Sequence, residues 1–285
     1  MAQSRIVRTV ADIRGLVAGF RAARRSVAFV PTMGNLHAGH MSLVALAAEH
    51  CDEVLMSIFV NPTQFGPDED FGAYPRTLDR DRARIDSSGD IAAVFVPEAP
   101  EIYPFGIENA VRVTLPPLAR ELCGATRPGH FEGVASVVCR LLNVVQPDVL
   151  VLGQKDYQQY VLVERMIMDL KMPVRLVCGP TVREEDGLAM SSRNRYLTAD
   201  ERARAPELHS ALAAVRAKLR AGQSDHAALA AAAVERLRAA GFRPDYVEVR
   251  RAADLARPQG DGADDLVVLG AAWLGRARLI DNVRV

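Results

Sequence analysis

Pro31-Thr32-Met33-Gly34-Asn35-Leu36-His37-Ala38-Gly39-His40 joins two kinds of regular structure, and its reading decides how the rest of the chain is understood. Before it, Ser26-Val27-Ala28-Phe29-Val30 is a short apolar run that predicts a β-strand. After it, Ala38 to His50 predicts a helix, with Pro31 and Gly34 punctuating the change. The two histidines stand three positions apart, so on a first helical turn they share a face. Unpaired N–H groups and the dipole at a helix N-terminus favour an anion. Two imidazole donors add to that field, and Gly39 leaves room for a ligand. A nucleotide triphosphate suits this pattern. A histidine at a helix start is equally a plain cap. Zinc, the other common ligand of paired histidines, needs further donors, and no Cys or His cluster lies nearby in sequence.

Outward from this stretch, apolar runs alternate with helical patterns. Val10–Ala23 predicts a helix after a short strand. Glu53–Val60, Ile91–Val96, Asp148–Leu152 and Val174–Cys178 predict strands, separated by helices at Thr77–Ser87, Glu132–Gln146 and Asp156–Leu170. Such alternation predicts an α/β fold, a doubly wound parallel sheet of Rossmann-like type, in residues 1–181. Ligands bind such sheets beyond the strand C-termini where strand order reverses, so the polar segments that follow the strands are expected to meet at one edge. From Thr198 the chain becomes Ala- and Arg-rich, opening with the capping-box spacing Thr198-Ala199-Asp200-Glu201. Helices to about Ala240, then strands at Pro244–Arg250, Asp265–Trp273 and Arg276–Ile280 around a turn at Gln259–Asp264, predict a smaller α+β domain over 182–285, acting as a lid.

Three further segments carry chemistry. Gly153-Gln154-Lys155-Asp156 occupies a strand-to-helix turn, where Lys155 reaches phosphate as a flexible cation and Asp156 caps the helix, holds a ribose hydroxyl or meets magnesium. Met190-Ser191-Ser192-Arg193 offers hydroxyls and a guanidinium after Glu184-Glu185-Asp186-Gly187, and reads as a mobile, solvent-exposed loop able to close over a triphosphate. Asn61-Pro62-Thr63-Gln64-Phe65-Gly66-Pro67 supplies neutral amides for a hydroxylated or carboxylated substrate. Arg127-Pro128-Gly129-His130-Phe131-Glu132-Gly133 lines a pocket or caps the next helix, and no catalytic role is read from it.

Composition narrows the classes. At 285 residues, 49% hydrophobic and 25% charged, the chain reads as an ordinary globular protein with no run of membrane-spanning length. With 35 basic and 35 acidic residues it has no global field for nucleic acid or anionic lipid, so any anion site is local. Cys51, Cys123, Cys139 and Cys178 are scattered in apolar contexts and read as reduced core residues. The arginines near the N-terminus are not expected to act as a transit peptide, since Asp12 interrupts the acid-poor pattern, and no apolar region of secretory type is read there.

With these pieces in this order, the chain resembles the pantothenate synthetase (pantoate–β-alanine ligase) family over essentially its whole length. Pro31–His40, Asn61–Phe65, Gly153–Gln159 and Met190–Arg193 fall where that family carries its active-site segments. The first and last also resemble signatures of the wider nucleotidyl-transferase superfamily. The resemblance implies ATP-dependent condensation of (R)-pantoate with β-alanine through a pantoyl adenylate, releasing AMP and pyrophosphate. It implies Mg2+ travelling with ATP, and a cytoplasmic homodimer without nucleic-acid or membrane partners. His40 would be the catalytic histidine and proton donor, with His37 and Lys155 in the catalytic set. Met33, Gly34, His37, His40, Gly153, Gln154, Lys155 and Asp156 would bind ATP. Val182 would contact adenine through its backbone, and Met190, Ser191, Ser192 and Arg193 would close around the triphosphate. Gln64 and Gln159 would grip pantoate, with Gln64 also near β-alanine. No dedicated metal ligands are implied, magnesium lying near Asp156. Two positions depart from the commonest family form: Asn35 stands for a small residue and Ala38 where an acid is frequent.

Other readings lead to different expectations. An adenylyltransferase would act on a phosphorylated cofactor precursor, and a nucleotide-binding module would bind ATP without turnover. A class I aminoacyl-tRNA synthetase would need a tRNA surface that the neutral charge balance does not suggest.

Overall fold

The computed structural model describes residues 4–66, 69, 71–259 and 265–285. Pro67 of the amide-rich segment, and all but the first residue of the Gln259–Asp264 turn, lie outside the described residues. The chain divides into two compact units, Met1–Gly153 with Leu162–Gly179, and Gln154–Val161 with Pro180–Val285.

In the first unit, β1 (Arg5–Val7), β2 (Val27–Thr32), β3 (Glu53–Ile58), β4 (Ile91–Phe95), β5 (Val149–Gly153) and β6 (Arg175–Gly179) form one sheet in the order β1-β4-β3-β2-β5-β6. Every pairing is parallel. The chain steps outward from β2 through β3 to β4, then returns to the other side of β2 as β5. Strand order therefore reverses between β2 and β5, the place where a doubly wound sheet opens a ligand crevice beyond its C-terminal edge. β2 runs into the histidine turn and β5 into the Gln154-Lys155-Asp156 turn. Val27, Ala28, Phe29 and Val30 are all fully buried, which is why β2 reads as a continuous apolar run.

The helices of the first unit are α1 (Val10–Ala22), α2 (Ala38–Ala48), α3 (Leu78–Ser88), α4 (Ala99–Ile102), α5 (Cys123–Thr126) and α6 (His130–Val145), while α7 (Tyr157–Asp169) starts in the second unit and belongs to the first from Leu162. Thr9 caps α1 by accepting from the Asp12 amide at 3.1 Å. On one face of the sheet, Val44 and Ala47 of α2 and Ile85 of α3 pack with Ala28, Val30, Val54, Met56, Val94 and Val151. The predicted elements are present with ends displaced by a few residues, but α4 and α5 were not predicted. Helices of one turn are too short to show a period. All four cysteines are free, yet only Cys123 is buried. Cys51, Cys139 and Cys178 are half-buried, which corrects the expectation of four core residues. Burial pushes the Cys51 thiol above its ordinary value.

The second unit contains α8 (Ala199–Arg204), α9 (Glu207–Arg220), α10 (His226–Ala239) and an antiparallel sheet β7-β8-β9 (Arg243–Arg251, Leu266–Leu274, Ala277–Arg284). The Thr198–Glu201 capping box is formed: the Glu201 amide donates to Thr198 Oγ1 at 3.3 Å and the Thr198 amide to Glu201 Oε2 at 2.8 Å. Leu208, Leu212 and Leu237 pack with Val268, Ala272 and Leu279. β9 continues four residues past the predicted end at Ile280, with Asp281 and Asn282 as buried members of the ladder.

Candidate active site

The histidine turn is held by a carboxylate that sequence reading missed. Asp81 on α3 is 1% exposed and accepts from the backbone amides of Asn35 at 2.9 Å and Leu36 at 2.8 Å, and from Thr77 Oγ1 at 3.1 Å. The turn reverses through two left-handed residues, Gly34 (φ 80°) and Asn35 (φ 51°). Asparagine tolerates that conformation better than most residues. Its side chain also accepts from Arg80 at 2.7 Å, so Asn35 is accommodated rather than strained. Ala38 is exposed on the first turn of α2.

His37 is the N-cap of α2 and His40 its third residue, with ring centroids 4.0 Å apart. The His37 backbone amide donates to His40 Nδ1 at 3.3 Å. An accepting Nδ1 leaves the proton of the neutral ring on Nε2, so His40 presents a donor at its far nitrogen.

The amide-rich segment packs beside this turn. Gln64 Nε2 donates to Met33 Sδ at 3.0 Å, joining two of the predicted segments directly. Asn61, 1% exposed, donates to Gln64 Oε1 at 3.1 Å and accepts from Tyr103 Oη at 2.6 Å. Burial pushes the Tyr103 hydroxyl up, so it stays a donor. Gly133 of α6 lies so close to the Thr63 carbonyl that a Cβ would overlap it, which fixes Gln64 against the helix. His130, given no catalytic role from sequence, grips the Gln64 backbone. Its Nε2 lies 2.8 Å from Arg127, which can only donate, so Nδ1 carries the proton and donates to the Gln64 carbonyl at 2.7 Å. Arg127 is held by both oxygens of Glu69, at 2.7 and 2.6 Å.

In the second unit, the Lys155 ammonium lies 3.8 Å from Asp156, with side chains 21% and 49% exposed. Gln159 is half-buried on the first turn of α7. The Met190 amide donates to the Val182 carbonyl at 3.0 Å, and an antiparallel bridge pairs Arg183 with Ala189. The segment read as a solvent-exposed loop is therefore a hairpin. Glu185 and Asp186 at its tip are exposed, but Met190, Ser191, Ser192 and Arg193 are half-buried, Ser191 capping the Ser192–Tyr196 turn by accepting from the Arg193 amide at 3.2 Å. Backbone pairing, invisible in a polar sequence, accounts for the difference.

Next to Val182 in the chain, Arg183 donates to both oxygens of Asp281, at 2.6 and 3.0 Å, and His209 Nδ1 lies 3.3 Å from that carboxylate. Burial pushes the Asp281 carboxyl up, but His209 and Arg183 outweigh it and hold the group below the usual carboxylate range. A carboxyl depressed in the folded state stabilises fully above its unfolded pKa of about 3.9, and that stabilisation is lost as pH falls through the folded value. We expect Asp281→Asn to lower the melting temperature at pH 7, and the gap from wild type to narrow as pH falls below about 4. A gap that stays constant in thermal melts across that range would contradict this account.

Among the described residues no group of three or more His, Cys, Asp or Glu could hold a metal ion, and no helix is long and apolar enough to cross a membrane.

The sequence model of the pantoate-β-alanine ligase family matches residues 5–284. Pantothenate synthetase of Alkalilimnicola ehrlichii is 53% identical, over 99% of this chain and 97% of its own. That of Pseudomonas putida is 52% identical, over 97% and 96%. The crystal structure of pantothenate synthetase from Thermus thermophilus superposes with a TM-score of 0.89 at 47% identity, covering 98% of each chain. Pantoate-β-alanine ligase from Francisella tularensis, solved with β,γ-ATP and β-alanine, gives 0.81 at 32% identity over 99% and 97%. With a parallel sheet that reverses at the histidine turn and likeness sustained from end to end, this chain belongs to the pantoate–β-alanine ligase family.

Proposed function

We propose that the chain joins (R)-pantoate to β-alanine at the expense of ATP. Pantoate carboxylate attacks the α-phosphorus of ATP and expels pyrophosphate. The β-alanine amine then attacks the acyl carbon of the adenylate, losing a proton and expelling AMP. The observation that carries this reading is the joined pair of turns in the first unit: a histidine whose Nε2 is set to donate, beside a Gln64 amide fixed on both its side chain and its backbone. In-line displacement at phosphorus asks the protein for positioning and charge stabilisation more than for covalent chemistry.

In this reading His40 donates to the phosphate oxygens, supported by His37 and the α2 N-terminus. Lys155 neutralises developing negative charge, and Val182 receives adenine on its backbone. Ser191, Ser192 and Arg193 bind the triphosphate with Met33, Gly34, Gly153, Gln154, Asp156 and Met190 around the nucleotide. Gln64 and Gln159 hold pantoate, and Gln64 serves β-alanine. Mg2+ supplies charge neutralisation to the phosphates. An ion carried in by a triphosphate needs only one or two protein carboxylates, and exposed Asp156 on the lysine turn fits that need.

Pyrophosphate release with ATP, Mg2+ and pantoate, with and without β-alanine, tests the assignment. Release with pantoate, and AMP turnover when β-alanine is added, is the expected result. ATP consumption only with a phosphorylated acceptor would point instead to an adenylyltransferase, and nucleotide binding with no release to a module without turnover. The family resemblance also supports a cytoplasmic homodimer. Light scattering should give twice the 31.0 kDa of one chain, and a mass of one chain would contradict it.

A further inference from the structure

We infer that Asn282 is a positioning residue for the nucleotide site, fixing the backbone from which Lys155 projects; this rests on the ligase reading and deepens it. The Asn282 Nδ2 atom donates to two successive carbonyls, Gln154 at 2.8 Å and Lys155 at 3.0 Å. Its Oδ1 accepts from Gln154 Nε2 at 3.1 Å. The residue is 2% exposed, so these partners replace water rather than compete with it.

The turn it grips is one that needs a clamp. Gln154–Asp156 is a single 3₁₀ turn, a poor hydrogen-bonding geometry with little stability of its own. Lysine carries its charge on a flexible four-carbon stem, so the ammonium is aimed only if the backbone beneath it is fixed. Asn282 is itself held on a ladder: in β9 it pairs with Leu269 of the buried strand β8. Two carbonyls side by side require two donors, and a primary amide supplies both. An ionised carboxylate of the same shape supplies none and repels them. Adjacent strand residues point to opposite faces. Asp281 therefore turns the other way, onto Arg183 beside Val182, and one dipeptide of β9 holds both nucleotide-binding segments of this unit.

The isosteric variant Asn282→Asp tests the inference in the full chain through three readouts. We expect kcat/KM for ATP in pantoate-dependent pyrophosphate release to fall about a hundredfold, the scale of loss when a reacting group is misplaced by about 1 Å. In a Lys155→Ala background the same change should cost no more than about twofold, because residues acting through one another are not additive. Hydrogen exchange without substrates should rise in peptides covering 153–160 and stay unchanged in β8. Wild-type turnover by Asn282→Asp, equal losses in both backgrounds, or unchanged exchange at the turn would overturn the inference. Should Asn282→Asp not fold, Asn282→Ser, which keeps one donor, is read the same way with smaller losses. A wild-type protein that releases no pyrophosphate refutes the ligase reading, while the exchange experiment still decides the clamp.

Discussion

His40→Ala and Lys155→Ala should each yield a folded protein that forms pantoyl adenylate at least about a hundredfold more slowly than wild type. For His40 the expectation follows from its tautomer. The backbone of His37 occupies Nδ1, leaving an Nε2–H donor on the first turn of a helix whose N-terminus already favours anions. Alanine removes the donor but keeps a good helix former, and the ring is only half-buried, so little stability is lost. Lys155 is 21% exposed on its side chain and pairs with a neighbouring carboxylate at 3.8 Å, an ion pair of small energetic weight. Its loss should act on charge developing at phosphorus rather than on folding. The check is quenched-flow measurement of adenylate with melting temperatures recorded alongside. Near-normal rates in both variants would remove these residues from the chemistry.

Asp81→Ala should have the opposite signature, a large loss of stability with loss of activity as its consequence. Two backbone amides and a threonine hydroxyl converge on this carboxylate, which is 1% exposed. Truncation leaves two buried N–H groups without their acceptor, at about 1–3 kcal/mol each. A total of about 2–6 kcal/mol corresponds to a melting-temperature drop on the order of 5–20 °C for a unit of this size. The freed groups belong to Asn35 and Leu36, immediately before His37, so the histidine turn should loosen even below the melting point. Asp81→Asn, which keeps one acceptor, should lose less. A melting temperature within about 2 °C of wild type for Asp81→Ala would show that the carboxylate does not hold the turn.

The parallel sheet was legible because its strands are short apolar runs separated by helical patterns, and the histidine turn because proline and glycine mark the change of period. The ligand roles came with the family resemblance. What stayed hidden is the buried polar scaffold behind those segments. Thr77–Ser87 is legible as a helix, and nothing in one dimension says that Asp81 rather than Asp79 turns inward. The sequence reading ends the last strand at Ile280, just before Asp281 and Asn282, whose burial in the ladder a polar pair does not announce. His130 reads as lining a pocket or capping the next helix, and its hold on the Gln64 carbonyl emerges only from the fold. Each of these contacts joins residues dozens of positions apart, Asn282 to Lys155 across 127, and periodicity carries no information at that range.

The measurement that tests the central claim most directly is exchange of labelled pyrophosphate into ATP. If a carboxylate is activated as an adenylate before the amine arrives, label should enter ATP in the presence of Mg2+ and pantoate alone, and omission of pantoate should abolish it. Exchange that requires β-alanine, or that proceeds without pantoate, would contradict the account.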